Sequence, residues 1–318
     1  RYAFDDNQDW KDNQFARCYC KSNPSADGCA GVPAPLISCT QQNWIHGQDR
    51  EAFRLGGNSA STSCADLNND GYMDLVTGEI KHWWAGENAD GSQVLLNDGT
   101  SDVSFTRLDD KTIGLFITRQ TASWDEGHMT QVVFDFDNDG LLDLYQGDSD
   151  YPDTRGHLYH QIKSDKQPLM FEEVPLSDGI DHYRSHGVVA ADFDRDGDLD
   201  LIVGHSRARC GSSPQCYKTT APRFFENVVG NKNAWVQLQL EGDGKTANRS
   251  AIGARVELQA CGMTQTRQVN GGYGHFGAQD DMVVHFGAGD AKTARVTITW
   301  PDAKQTRQSF TEIGRAHV

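Results

Sequence analysis

One thirteen-residue pattern recurs three times in this chain, as DLNNDGYMDLVTG (66–78), DFDNDGLLDLYQG (135–147) and DFDRDGDLDLIVG (192–204). Each copy has an acid or amide oxygen at positions 1, 3 and 5, Gly at 6, Asp at 9, Leu at 10 and Gly at 13. Carboxylates so close together repel and raise one another's pKa, so a fold that repeats them needs a compensating cation. Calcium takes 6–8 oxygen ligands at about 2.3–2.6 Å, and carboxylates at alternate positions of a tight loop converge on one centre. The spacing therefore predicts about three Ca²⁺ sites. Their ligands are Asp66, Asn68, Asp70, the Tyr72 carbonyl and Asp74; Asp135, Asp137, Asp139, the Leu141 carbonyl and Asp143; and Asp192, Asp194, Asp196, the Asp198 carbonyl and Asp200. Asn68 carries no charge, so the first loop should hold calcium more weakly. An EF-hand needs a bidentate Glu at position 12, where Thr77, Gln146 and Val203 stand. Turn chemistry also favours Asp, Asn and Gly, but it does not fix five positions in three copies.

The flanks are β-branched and apolar, as in Val188-Val189 and Leu201-Ile202-Val203, which reads as strand, loop, strand. After each loop the chain again reads strand, polar turn, strand: SQVLLNDGTSDVSFTRL, GHLYHQIKSDKQPLMFEEV and PRFFENVVGNKNAWVQL. The Asn97-Asp98-Gly99 stretch marks a hairpin. Position 1 advances by 69 residues and then by 57, and self-similarity on that scale signals an array of supersecondary units. Four short strands per unit is the content of a propeller blade. Helical periodicity is not evident, and no apolar run approaches the roughly 20 residues that span a bilayer. The formal net charge of −16 lies largely in the eleven loop carboxylates. It excludes a nucleic-acid partner, which needs a basic footprint.

The three D-x-[DN]-x-D-G-x-x-D-L copies resemble the FG-GAP/VCBS repeats of integrin-α-like propellers. The blocks NAWVQLQLEG (233–242), NRSAIGARVEL (248–258), VNGGYGHFGAQ (269–279), VVHFGAGDA (283–291) and VTITWPD (296–302) resemble, in order, the ASPIC/UnbV domain of cartilage-acidic-protein-like proteins. The resemblance implies an all-β chain of calcium-binding propeller blades followed by a small β-rich domain, secreted or on a cell surface (periplasm or outer surface in a bacterium). It supplies no catalytic residue. The expected division is a cysteine-rich segment over 1–54 that forms part of a blade, propeller repeats over 55–230 and the ASPIC/UnbV-like domain over 231–318. Phe276-Gly277-Ala278-Gln279 departs from the family's Tyr-x-Ser-Gln phrase. Closed propellers carry roughly 4–8 blades, so three motifs leave either a truncated propeller or one that another chain completes. Residue 1 is Arg and no signal peptide is visible, as in a mature, cleaved or partial product.

Eight cysteines without a C-x-x-C argue against a zinc ribbon. Cys18, Cys20, Cys29 and Cys39 crowd a Gly/Pro/Ser-rich segment that disulfides would staple. Cys210 and Cys216 bracket a short loop suited to a bridge. Cys64 and Cys261 either join repeat to C-terminal domain or stay free.

His128 and His186 stand at near-equivalent offsets before the second and third loops; a blade hydrogen bond to backbone is the plainer reading. His157 and His160 read as strand residues rather than ligands. One of Trp83 and Trp84 should face outward, since strand neighbours alternate. Asn248-Arg249-Ser250 matches a glycosylation sequon but lies inside a domain block, where a structural role fits better. No phosphate loop, nucleophile elbow or Ser/His/Asp set is present. The leading expectation is a binding or adhesion module whose partner is an extracellular protein or glycan. An extracellular hydrolase with a His/carboxylate site on the propeller face is the alternative, and a structural part of an extracellular assembly is a third. Convergence of His82, His128, His182 or His186 on one pocket with a non-calcium metal would favour the hydrolase.

Overall fold

The computed structural model describes residues 14–35, 59–82, 91–101, 103–117, 125–151, 154–210, 216–272, 279 and 281–313. The fold is all-β. The first sheet runs β1 (Ser59–Ala65), β2 (Asp74–His82), β3 (Gln93–Asn97) and β4 (Phe105–Arg107), with β5 (Asp125–Gly127) paired to the far end of β2. The second runs β6 (Gln131–Phe134), β7 (Asp143–Gln146), β8 (His157–Gln161) and β9 (Phe171–Glu173). A third consists of β10 (Ser185–Ala191), β11 (Asp200–His205) and β12 (Arg223–Phe225). Each is an antiparallel meander, and each acidic loop joins its first strand to its second. The sheets are open, and among the described residues they close no barrel.

Alternation explains the packing. In β3, QVLLN, Val94 and Leu96 point inward while their neighbours are half-exposed, the period-2 pattern of a strand with one buried face. The second sheet is buried on both faces. Leu144 enters a core with Leu67, Val76 and Val94 of the first sheet. Its neighbour Tyr145 enters a separate core with Val188, Leu201 and Val203 of the third. Both β7 residues are wholly buried, each worth about 1.5–3 kcal/mol of transfer free energy. A short helix, α1 (Gln14–Ser22), and a single turn, α2 (Asp110–Ile113), complete the elements used below. Ile113 from α2 plugs the first of these cores.

The C-terminal region has its own core. The sheet of β15 (Met263–Gln268), β14 (Arg255–Ala260), β17 (Ala294–Thr299) and β18 (Arg307–Ile313) packs on the pair β13 (Ala234–Leu238) and β16 (Val284–Gly289). Val256, Leu258, Phe286, Val296 and Ile298 are buried between them. The Asn248 side chain clasps Ile252 through both backbone groups, at 2.8 and 2.9 Å, so its role is structural as expected.

Two expectations are corrected. Residues 14–22 form a short amphipathic helix, although no helical periodicity was evident along the chain; the Cys20–Cys29 disulfide ties its last turn to the following segment. The strand in NAWVQL does not close the third sheet but pairs with β16, because Val236 and Leu238 find their apolar partners in the C-terminal core. Of the two alternatives for Cys64 and Cys261, the structure shows both free, and both are exposed. The Cys210–Cys216 bridge is present, and Cys18 is disulfide-bonded too. Trp83, Trp84, Cys39, Phe276-Gly277-Ala278 and the His82 side chain lie outside the described residues.

Candidate functional site

The three acidic loops share one backbone. Position 4 is left-handed in every copy (Asn69 φ 57°, Asn138 φ 60°, Arg195 φ 66°), and the glycine at position 6 follows at φ 92°, 93° and 100°. The glycine is required there, since an L side chain is strained at such a φ.

The carboxylates also repeat their roles. At position 1, Asp66 accepts the N–H of Asp70 and Gly71 (3.0 and 2.9 Å), and Asp135 accepts those of Asp139 and Gly140 (3.1 and 2.8 Å). At position 9, one oxygen accepts the N–H of position 2 and the other an N–H at the third strand. Asp74 takes Leu67 and Asn97, Asp143 takes Phe136 and Gln161, and Asp200 takes Phe193 and Asn227, all between 2.8 and 3.1 Å. Position 9 thus stitches loop to blade, and an ion there would use the lone pairs the amides leave.

The donor set suits calcium in two loops. Oxygens of Asp135, Asp137 and Asp143 lie within 4.8 Å of one another, as do those of Asp192, Asp194 and Asp200. Asp192 Oδ1 and Asp198 Oδ1 are buried without a hydrogen-bond partner, which is costly for a polar atom and is relieved by a cation. Burial pushes the Asp74 carboxyl up to about 6 and those of Asp135 and Asp198 to about 7. Asp143 moves the same way for the same cause. A divalent ion would restore the ionised form. The first loop, with Asn68 at position 3, forms no such carboxylate triple among the described residues. His160, read from sequence as a plain strand residue, reaches Asp137 at 3.2 Å and belongs to the second loop's surroundings.

The loops are linked to one another. Asn69 Nδ2 donates to the Gly140 carbonyl (3.2 Å), and Asn138 Nδ2 donates to the Gly197 and Gly230 carbonyls (2.9 and 3.0 Å). Position 4 of the first and second loops therefore grips position 6 of the next. Arg195 occupies position 4 of the third loop, where the relay stops.

The C-terminal region lies over this array. Gln237 Nε2 donates to Asp192 Oδ2 at 2.6 Å, and the His285 ring meets the Gly197 carbonyl at 3.2 Å. Trp235 crowds Gly197 so closely that no Cβ would fit there. Arg267, on β15, is electrostatically coupled to both Asp135 and Asp66, while burial works against its charge.

At the opposite end of the second sheet stands a group that sequence reasoning missed. His128, Asp148 and His157 are 1%, 2% and 6% exposed, and one donor atom of each lies within 4.8 Å of the others. His157 was expected to be a strand residue and His128 a backbone partner. Antiparallel pairing brings together the residue just after β5, the second residue after β7 and the first residue of β8, which no linear spacing announces. Of the four histidines whose convergence would mark a hydrolase, His128 meets His157 instead. His182 packs on His205 and Tyr217, with ring centroids 5.5 and 5.2 Å away.

Comparison with known proteins agrees with this layout. Residues 135–203 match the FG-GAP-like repeat, and residues 244–318 match the ASPIC and UnbV domain. The chain is similar to cartilage acidic protein 1 of Mus musculus and of Homo sapiens, at 27% identity over 248 residues, and to that of Xenopus tropicalis at 27% over 251. The mouse match covers 77% of this chain and 34% of the relative, so the chain spans about a third of the length of the curated relatives it matches. Its disulfides suit an oxidising compartment. No helix among the described residues is long and apolar enough to cross a membrane.

Proposed function

We propose that this chain is a calcium-binding repeat module of an extracellular protein, in which the ions lock the FG-GAP sheets to the ASPIC/UnbV domain and partners are bound elsewhere on the surface. The observation that carries the reading is the single loop scaffold, built three times and capped by Gln237, His285 and Arg267. The similarity to cartilage acidic protein 1 and the disulfides support an extracellular setting.

Partner binding, to a protein or glycan, falls to exposed apolar surface. The outer face of the third sheet presents Phe193 and Phe224, 45% and 50% exposed, with rings edge-on at 5.8 Å. A further blade, from this protein or another chain, would pack there as the second sheet packs on the first.

Calorimetric calcium titration tests the reading, with Asp139→Ala and Asp196→Ala each expected to lose one ion. Chelation should open the chain to proteolysis near Asp66, Asp135 and Asp192. Absence of calcium binding, or chelation that leaves protease resistance unchanged, refutes the proposal.

A further inference from the structure

The His128, Asp148 and His157 cluster has no place in the calcium reading, and its donors are of another kind. Two imidazoles and one carboxylate suit a first-row divalent ion, whereas calcium prefers oxygen alone. Each side chain is also held by a second group. His128 Nδ1 meets Ser92 Oγ at 2.7 Å, and His157 Nδ1 meets Glu173 Oε1 at 2.8 Å. Asp148 Oδ1 accepts the N–H of Gly127 and Ser149 at 2.8 and 2.7 Å. A carboxylate behind a histidine fixes the ring's tautomer and orientation and raises its basicity, the usual support of a metal-bound imidazole. Nδ1 is the engaged nitrogen in both rings.

The neighbouring sheets show that the fold does not require this trio. Register pairs Gln146 with His157, Thr77 with Gln93 and Val203 with Arg223. Counting outward from those pairs, the equivalents of His128, Asp148 and His157 are Ser59, Glu79 and Gln93 in the first sheet. In the third they are Ser185, His205 and Arg223. In the first sheet Ser59 Oγ donates to Glu79 at 2.7 Å, and in the third an arginine replaces a ligand. The same meander is built at all three places, yet only the middle one brings together two imidazoles and a carboxylate.

We infer that His128, Asp148 and His157 form a three-ligand site for one first-row divalent ion of the zinc or iron(II) class, chemically separate from the acidic loops. Three protein ligands leave coordination positions for water or another small ligand.

Cobalt(II) titration of the full chain in saturating calcium provides the test, with the visible d–d band as readout and metal analysis after dialysis as stoichiometry. One equivalent should bind at micromolar concentration, and zinc should displace it. His157→Gln should abolish the band, and Glu173→Gln, at a half-exposed position, should weaken binding 10–100-fold. Asp165→Asn, at an exposed turn between β8 and β9, should leave the band unchanged. Circular dichroism and calcium stoichiometry report whether each variant folds; if His157→Gln does not, the Glu173→Gln shift decides. A wild-type chain that binds no cobalt, or binding indifferent to Glu173→Gln and His157→Gln, overturns the proposal.

Discussion

The two ends of the second sheet are a few residues apart along each strand and differ completely in chemistry. At the loop end, Asp135, Asp137, Asp139 and Asp143 present oxygen only, under a cap carrying Arg267. At the other end, His128, Asp148 and His157 present two nitrogens and one oxygen, each oriented from behind. One scaffold thus carries an oxygen-only donor set, which suits a hard cation, and a mixed nitrogen and oxygen set, which suits a borderline one. The loop end repeats in all three sheets, so it serves the architecture. The histidine end occurs in one, so it serves something the architecture does not need.

Calcium removal should produce the largest effect. An ion that binds only the folded chain adds about 2.7 kcal/mol at a hundredfold excess over Kd, so three independent loops would add on the order of 8 kcal/mol. Melting scans in calcium and in chelator should differ accordingly, while a transition-metal chelator used in saturating calcium should shift melting far less. Equal shifts would erase the proposed difference between the two ends.

Arg267→Met sharpens the loop end. Removing one member of a buried charge group costs about 3–5 kcal/mol, because Asp135 and Asp66 lose their guanidinium. Calcium would supply the missing charge, so denaturant unfolding should show most of the loss without calcium and little with it. The same loss in both conditions would mean that Arg267 acts through packing alone.

Acid tests the histidine end. His182, beside that end through its carbonyl bond to the Gly156 N–H, is wholly buried, and burial lowers its pKa to about 3. The unfolded chain takes up this proton near 6.5 and the folded chain does not. Its contribution is therefore complete above about pH 6.5 and lost as pH falls toward 3. By pH 4.5 the loss is about 3 kcal/mol, at roughly 1.4 kcal/mol per pH unit. His182→Phe should flatten the stability profile between pH 6.5 and 4.5; an unchanged slope would place the acid sensitivity elsewhere.

The smallest effect concerns the relay between loops. Asn138→Ala removes two bonds to neighbouring carbonyls and puts alanine at φ 60°, a cost of about 1–2 kcal/mol. Asn69→Ala removes one such bond and should cost less. Thermal melts that rank the two in the opposite order would break the idea that the second loop is the hub.

Local pattern determined much of this protein. Gly71, Gly140 and Gly197 follow from loop geometry, the aspartates from their alternate spacing, and β3 from period-2 alternation, because each depends on residues close in the chain. The Cys210–Cys216 bridge is equally local. Pattern could not show that the strand beginning at Ala234 leaves the repeats, since its alternation suits either sheet and only the partners of Val236 and Leu238 decide. Arg267 looks like any strand arginine until β15 is laid over two acidic loops from far earlier in the sequence. His128, Asp148 and His157 belong to three strand ends with no shared spacing, so only antiparallel pairing makes them one group. Sequence determined the units and their loops; tertiary structure decided what covers those loops and which side chains meet at the other end, because those contacts join residues distant in the chain.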